Sequence, residues 1–348
     1  MISGIRFSWG DRDLRAIRSP EDLPEQFNFA VALLDRHLAE GRGAQMALWG
    51  PAGNYTYEQL CRFANQTGNA LRSLGLAPEQ RVLLLLRDSP ELIATYLGAM
   101  KIGAVPVALN TFAHPADYEF YLRNSQARLL VGEAEFLAPL EPLLRRTPSL
   151  RGVVSVRGEG VAGAARFEQA FAAQSGELDP FPTHRDQPAY WVYTSGSTGE
   201  AKAAVHLHRN TIFAVEPFLR HVARLTPQDI NFSVARLFFS YGLVNSLFLP
   251  LWAGASVALL PDRPEPDNVL AMIEQYRPTL LFSVPTAYGR MLREDFDVQK
   301  LCGSASRPAR LCPPRSTTAG RKRPALGLLT ASGPRNSATS FLRTARAR

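Results

Sequence analysis

The chain has 348 residues, a formal net charge of +8, 46% hydrophobic and 20% charged residues. These values exclude a wholly disordered, collagen-like or disulfide-framework protein, and the length fits about two domains. The excess charge is local: residues 301–348 hold nine Arg, one Lys and no acidic residue, leaving 29 basic against 31 acidic residues in 1–300.

The N-terminal stretch interleaves Arg6, Arg12, Arg15 and Arg18 with Asp11 and Asp13 and has no continuous apolar run, unlike a secretory signal. From about residue 55 the pattern alternates between helix and strand. Thr56 with Gln59 forms a capping box, and Leu60, Phe63, Ala64, Thr67, Ala70, Leu71 and Leu74 follow at helical spacing, with Gly75 at the stop position. Residues 82–86 read as a buried strand. Ser89-Pro90-Glu91 reads as an N-cap, a Pro at the first helical position and an acidic first turn. That helix should run to about Lys101 and end at Gly103. Strands are expected at 105–109, 128–131 and 153–156, with helices near 115–124 and 134–145. This alternation predicts an α/β fold with a largely parallel sheet.

Residues 174–188, polar and Pro-containing, read as a linker. They divide the chain into a first α/β subdomain at 1–188 and a second at 189–300, with the basic tail 301–348 expected to be disordered. The second part should hold strands at 190–194, 231–234, 255–260 and 279–284, with helices at 210–222, 242–252, 267–276 and 286–293. The uncharged run from Tyr241 to Pro261 is long enough to cross a bilayer on paper. Asn245, Ser246, Pro250, Gly254 and Ser256 interrupt it, so a buried helix and strand are expected and no membrane span. Cys61, Cys302 and Cys312 lack metal-ligand spacing, and a reducing, cytoplasmic setting is the expectation.

The most informative segment is the strand Trp191-Val192-Tyr193 running into Thr194, Ser195, Gly196, Ser197, Thr198 and Gly199, with Lys202 three positions later. Gly permits a tight loop whose backbone N–H groups converge on an anion. Hydroxyls add donors and Lys202 adds positive charge, a set suited to a nucleotide triphosphate tail. The spacing fits neither a Walker A motif nor G-x-G-x-x-G. The plain alternative is a flexible Ser/Gly linker, against which stand the aromatic strand before it and the apolar sequence after it.

Downstream, Phe238, Phe239 and Tyr241 beside Gly242 could line a flat apolar slot with a polar tip, suited to an aryl carboxylate, or pack as ordinary core. His206 and His208 alternate and could share a strand face, but no nearby carboxylate or Cys completes a metal set, and no metal site is expected. His114, His184 and His221 read as ordinary surface or loop histidines.

The loop resembles the phosphate-binding signature T-S-G-S-T-G-x-P-K-G of the adenylate-forming enzymes, the superfamily of acyl-CoA synthetases, luciferases and peptide-synthetase adenylation domains. Thr194 to Gly199 match all six leading positions and Lys202 matches the Lys. Ala201 stands in place of Pro and Ala203 in place of Gly. The segment from Leu237 to Asn245 resembles the acyl-pocket segment of benzoate- and hydroxybenzoate-CoA ligases, with Phe239 where many relatives carry His. Ser283-Val284-Pro285-Thr286-Ala287-Tyr288 resembles the V-P-T-x-Y strand end near the acyl site.

The resemblance spans about residues 27–297. It implies the large N-terminal domain of this fold in incomplete form, with the small C-terminal domain absent. It also implies ATP, Mg2+ and coenzyme A as family substrates. A carboxylate attacks the α-phosphate of ATP and expels pyrophosphate, and the coenzyme A thiol then displaces AMP. On that basis Thr194 and Lys202 are the candidate catalytic residues, and Thr194, Ser195, Gly196, Ser197, Thr198, Gly199 and Lys202 hold the phosphates. Phe239, Ser240, Tyr241, Gly242, Pro285 and Thr286 contact the acyl group.

The family's G-x-T-E-type segment and ribose-binding Asp have no counterpart after Asp297. One codon choice for Thr330 to Thr339, read one nucleotide earlier, encodes D-G-L-G-S-T-E-F-G-H, which fits that segment. The tail is therefore expected to be read out of frame, a point the coding DNA decides. The expectation is an aryl-acid ligase in truncated form with little or no turnover. The alternatives are a non-catalytic ATP- or acyl-binding remnant, or a basic nucleic-acid-binding protein whose affinity resides in 301–348. The oligomeric state is left open.

Overall fold

A computed structural model describes residues 17, 19–194, 201–291 and 310–312. In chain order, Asn28 caps α1 (Phe29–Leu33) by accepting from the Ala30 and Val31 amides, and α2 (Asp35–Ala39) follows directly. β1 (Met46–Trp49) and β2 (Tyr55–Thr56) pair antiparallel. α3 (Tyr57–Ser73) starts at the expected capping box, formed by Thr56 and Gln59. It ends where Gly75 turns left-handed at φ +82°. β3 (Arg81–Leu85) leads into α4 (Pro90–Lys101), capped by Ser89 with Pro90 in its first turn.

β4 (Val105–Ala108), α5 (Pro115–Ser125) and β5 (Leu129–Glu133) follow as expected. The helix expected at 134–145 is broken instead. It comprises α6 (Ala134–Leu137), a 3-10 turn (Ala138–Leu140) and α7 (Glu141–Arg145). Pro139 and Pro142 lack the N–H groups a continuous helix needs. β6 (Gly152–Val156), β7 (Ala165–Arg166) and α8 (Phe167–Ala172) complete this part.

β8 (Pro188–Thr194) and β9 (Lys202–Leu207) form an antiparallel hairpin. α9 (Asn210–Phe218) contains Pro217 and continues as a π turn over Leu219–Ala223. β10 (Ile230–Ser233) precedes α10 (Ser240–Leu243), a π turn (Val244–Phe248) and α11 (Leu249–Ala253). β11 (Ser256–Ala258), α12 (Pro266–Tyr276), β12 (Leu280–Phe282), α13 (Pro285–Met291) and β13 (Arg310–Cys312) close the series.

Two sheets result. One runs β7-β6-β5-β3-β4-β8-β9 and the other β13-β12-β10-β11-β1-β2. All neighbours are parallel except the β8–β9 and β1–β2 pairs. The sheets do not divide the chain at residue 188: β8 and β9 extend the first sheet, and β1 and β2, from the N-terminal part, extend the second. β13 lies within 301–348, the segment expected outside the fold, whereas residues 313–348 lie outside the described residues.

The stretch 174–188 is not a free linker. Asn65 Nδ2 donates to the Gly176 carbonyl at 2.9 Å, Arg72 to Asp179 O at 2.8 Å, and the Phe181 amide to Lys101 O at 2.8 Å. Polar residues there serve as backbone partners, so composition alone reads as a linker what packing turns into a strap. Phe248, fully buried, packs on Phe29 of α1, Tyr190 of β8 and Tyr96 of α4: its ring centroid lies 5.2, 5.1 and 6.3 Å from theirs. Burial of one such side chain contributes about 1.5–3 kcal/mol, so this cluster holds the two sheets together. No helix among the described residues is long and apolar enough to cross a membrane.

Candidate active site

The candidate site has two halves on different sheets. The phosphate half sits on the β8–β9 hairpin. Thr194 and Lys202 are directly opposed across the ladder, and Thr194 Oγ1 donates to the Lys202 carbonyl at 3.4 Å. Opposed residues share a face of the sheet, and both are exposed. Ser195, Gly196, Ser197, Thr198 and Gly199 lie outside the described residues. The hairpin root is held by Tyr193, whose hydroxyl donates to Asn124 Oδ1 at 2.8 Å and whose ring lies 4.5 Å from Tyr121. Burial raises the Tyr193 phenol well above its ordinary range, so it acts as a neutral donor.

The two histidines after the loop do not face a common ligand. His206 stacks on Tyr190 at 4.6 Å and an interplanar angle of 5°. His208 is fully buried beyond the strand end, its Nδ1 accepting from the Phe29 amide at 3.1 Å, and burial lowers its pKa to about 3. Among the described residues no three His, Cys, Asp or Glu gather as metal ligands.

The acyl half sits on the second sheet. Phe239 is 51% exposed, Ser240 is exposed, Tyr241 is half-buried and Gly242 is buried. Gly242 is required by contact, because a Cβ there would fall onto the Arg236 carbonyl oxygen. Tyr241 meets Phe282 of β12 edge-on, with centroids 6.3 Å apart at 81°. The same strand leads to Pro285 and Thr286 at the start of α13, half-buried and exposed respectively. The structure therefore brings Tyr241 to the strand that leads into Pro285 and Thr286, and keeps Phe239 off the core.

Between the sheets lies a cavity of about 310 Å³, lined among others by Arg87, Asp88, Phe112, Arg236, Phe238 and Arg263. It sits beyond the C-terminal ends of β3, β4, β5, β10 and β11, where ligands of parallel sheets bind. Asp88 and Arg236 are 6% exposed each, and their charges approach to 3.9 Å. Burial pushes the Asp88 carboxyl up to about 6, against the opposing pull of Arg236 and the Leu237 amide. Arg87 pairs with Glu133 at 2.5 Å and with Glu135, and Arg263 lies 5.2 Å over the Phe112 ring. Sequence reasoning missed Asp88 and Arg236, which are far apart in the chain. The only available signal was the position of Asp88 beside the Ser89-Pro90 helix start, at a strand end.

The model of the AMP-binding enzyme family matches residues 35–333, running past residue 300 into the basic tail. The chain belongs to the AMP-binding enzyme family. Within it, the chain is 39% identical over 271 residues to a benzoate–CoA ligase of Thauera aromatica, covering 78% of this chain and 51% of that one. It is 35% identical over 289 residues to a 4-hydroxybenzoate–CoA/benzoate–CoA ligase of Rhodopseudomonas palustris, covering 81% and 53%. Its fold superposes on the anthranilate CoA ligase AuaEII, solved with anthranoyl-AMP, with a TM-score of 0.80 and 31% identity, over 86% of this chain and 57% of that one. The chain thus spans about half the length of the curated relatives it matches. As in the AMP-binding fold of AuaEII, the core is α/β.

Proposed function

We propose that this chain binds ATP and an aryl carboxylate of the benzoate class, for activation to an acyl-adenylate and transfer to coenzyme A. The observation that carries this reading is the 39% identity to a benzoate–CoA ligase over 78% of the chain, reinforced by the exposed aromatic segment around Phe239 and Tyr241.

In this reading the carboxylate oxygen attacks the α-phosphorus and pyrophosphate leaves with the electron pair of the broken P–O bond. The coenzyme A sulfur then attacks the acyl carbon, and AMP leaves. Both steps need positioning and charge stabilisation more than covalent help from the protein. Lys202 supplies an ammonium at the mouth of the hairpin loop, and Thr194 a hydroxyl on the same face. Ser195, Gly196, Ser197, Thr198 and Gly199 supply backbone N–H groups and hydroxyls as donors to the phosphates. Phe239, Ser240, Tyr241 and Gly242, with Pro285 and Thr286, form the aryl-binding surface. Among the described residues no three His, Cys, Asp or Glu gather as ligands for Mg2+.

A second reading is binding without turnover. Calorimetric titration with ATP and with benzoate, followed by an assay for benzoyl-CoA from benzoate, ATP and coenzyme A, decides between them. Binding with thioester formation supports the full reaction, and binding without it supports the second reading. Absence of binding to either ligand overturns both.

A further inference from the structure

The acyl segment is attached to the molecule in an unusual way. The turn that precedes α10 is held from the first sheet as well as the second. The Leu237 amide donates to both carboxylate oxygens of Asp88, at 3.2 and 3.4 Å, and Asp88 stands just beyond β3. The neighbouring Arg236 faces Asp88 and donates through its two terminal nitrogens to the carbonyls of Leu260 and Asp262, beyond β11. Within the turn, the Phe239 amide donates to Arg236 O at 3.0 Å and the Leu243 amide to Phe239 O at 2.8 Å.

Two buried ionised groups are a poor way to gain stability. Desolvating each costs several kcal/mol, and an apolar pair of similar volume often does as well. What such a pair supplies is direction. Phe238 rests on Phe112 with centroids 6.2 Å apart, and that apolar contact alone permits the turn to slide or rotate. The guanidinium fork and the carboxylate tie it to two strand ends, those of β3 and β11. Because the Gly242 backbone lies against the Arg236 carbonyl, the fixed turn also fixes the start of α10, where Ser240 and Tyr241 stand.

We propose that Asp88 and Arg236 are positioning residues for aryl-acid recognition: together they fix the 236–241 turn across the junction of the two sheets and so set where Phe239, Ser240 and Tyr241 stand. This rests on reading that segment as the acyl-binding surface. Neither residue needs to touch the ligand.

The test compares the full chain with its Asp88→Ala, Asp88→Asn and Arg236→Met variants, by amide hydrogen exchange without ligand and by calorimetric titration with benzoate. Removing one partner of a buried hydrogen-bonded group releases the turn by about tenfold or more. Exchange over 236–241 should therefore accelerate about tenfold or more in Asp88→Ala and Arg236→Met, with exchange in β11 and β12 unchanged. Benzoate affinity should fall by about tenfold in the same two variants. Asp88→Asn keeps an acceptor for the Leu237 amide and should recover most of the protection and affinity.

Unchanged exchange in the turn overturns the proposal. So does acceleration spread evenly over both sheets in all three variants, since the pair would then hold the fold and nothing more particular. Wild-type chain that binds no benzoate overturns the functional reading in a separate experiment, so the two failures are told apart.

Discussion

The two halves of the site are built by opposite means. The β8–β9 hairpin places Thr194 and Lys202 by local chain geometry: an antiparallel ladder opposes two residues eight positions apart, and both stay exposed. The 236–242 turn is placed by partners from distant parts of the chain, Asp88 on one side and the Leu260 and Asp262 carbonyls on the other. The Thr194–Lys202 pair is thus a short-range structure, whose residue types would carry the proposed phosphate chemistry. In the acyl half, the residues that would meet the ligand differ from those that hold them in place. A highly charged group common to many reactions needs charge and donors more than a shaped wall. A small flat acid is discriminated by wall positions, which need support.

The largest expected effect tests the phosphate half. Lys202→Ala removes the ammonium from an exposed strand end, so folding should be unaffected. Loss of one charge-stabilising donor costs about 10²–10³ in rate where the transition state uses it. Benzoate-dependent exchange of pyrophosphate into ATP should fall by about that factor, or ATP affinity should fall if only binding occurs, with benzoate affinity unchanged. A fall in benzoate affinity of similar size would break the proposed independence of the two halves.

The next effect tests the acyl half. In Gly242→Ala the new methyl falls onto the Arg236 and Ala235 carbonyl oxygens, which are backbone atoms and cannot swing away. Overpacking of this kind costs typically 1–3 kcal/mol, and about 3 kcal/mol is expected here because the obstacle is main chain. Urea unfolding gives the stability, and titrations give the ligands: benzoate binding should be lost while ATP binding by the folded fraction persists. Wild-type stability in this variant would show that the turn moves freely and would remove the contrast.

Legibility in the sequence follows the same division. The capping box at Thr56 and Gln59, the Ser89-Pro90 helix start and the Gly75 stop are local signals, and each stands where it was expected. The α/β alternation and the T-S-G-S-T-G run are likewise local. What escaped depends on separation in the chain. The alternation of His206 and His208 allows a strand there, but nothing local says that β9 (Lys202–Leu207) returns antiparallel on β8, because the pairing partner is not encoded in the run itself. β1 and β2 join the second sheet across about 200 residues, which no periodicity reports. Composition marks 174–188 as a linker because its three Pro and several polar residues are typical of a loop, and the carbonyls that bind Asn65 and Arg72 have no residue-type signature.

The smallest effect separates the two halves by pH. His208, at the root of the hairpin, and His37, whose Nε2 contacts Leu251 O at 2.6 Å, are fully buried with pKa lowered to about 3. Asp88, at the acyl turn, is raised to about 6. The signs oppose. A base with a depressed folded pKa contributes stability above its unfolded value of about 6.5 and loses it as pH falls towards 3. Between pH 7 and 5 each buried histidine should therefore cost about 2 kcal/mol. A carboxyl with a raised folded pKa behaves the other way: its contribution is fully present below about 4 and lost as pH rises through 6, so acidification from 7 to 5 returns about 1 kcal/mol. Net stability should fall, and the histidines dominate because there are two and their shifts are larger. His208→Asn can keep an acceptor for the Phe29 amide while removing the titration, so it should flatten the loss between pH 7 and 5 by about 2 kcal/mol in urea midpoints. Asp88→Asn should steepen it by about 1 kcal/mol. If both variants change the slope in the same direction, the two regions do not carry opposite electrostatic strain. The hairpin root and the acyl turn would then have to be treated as one cooperative unit.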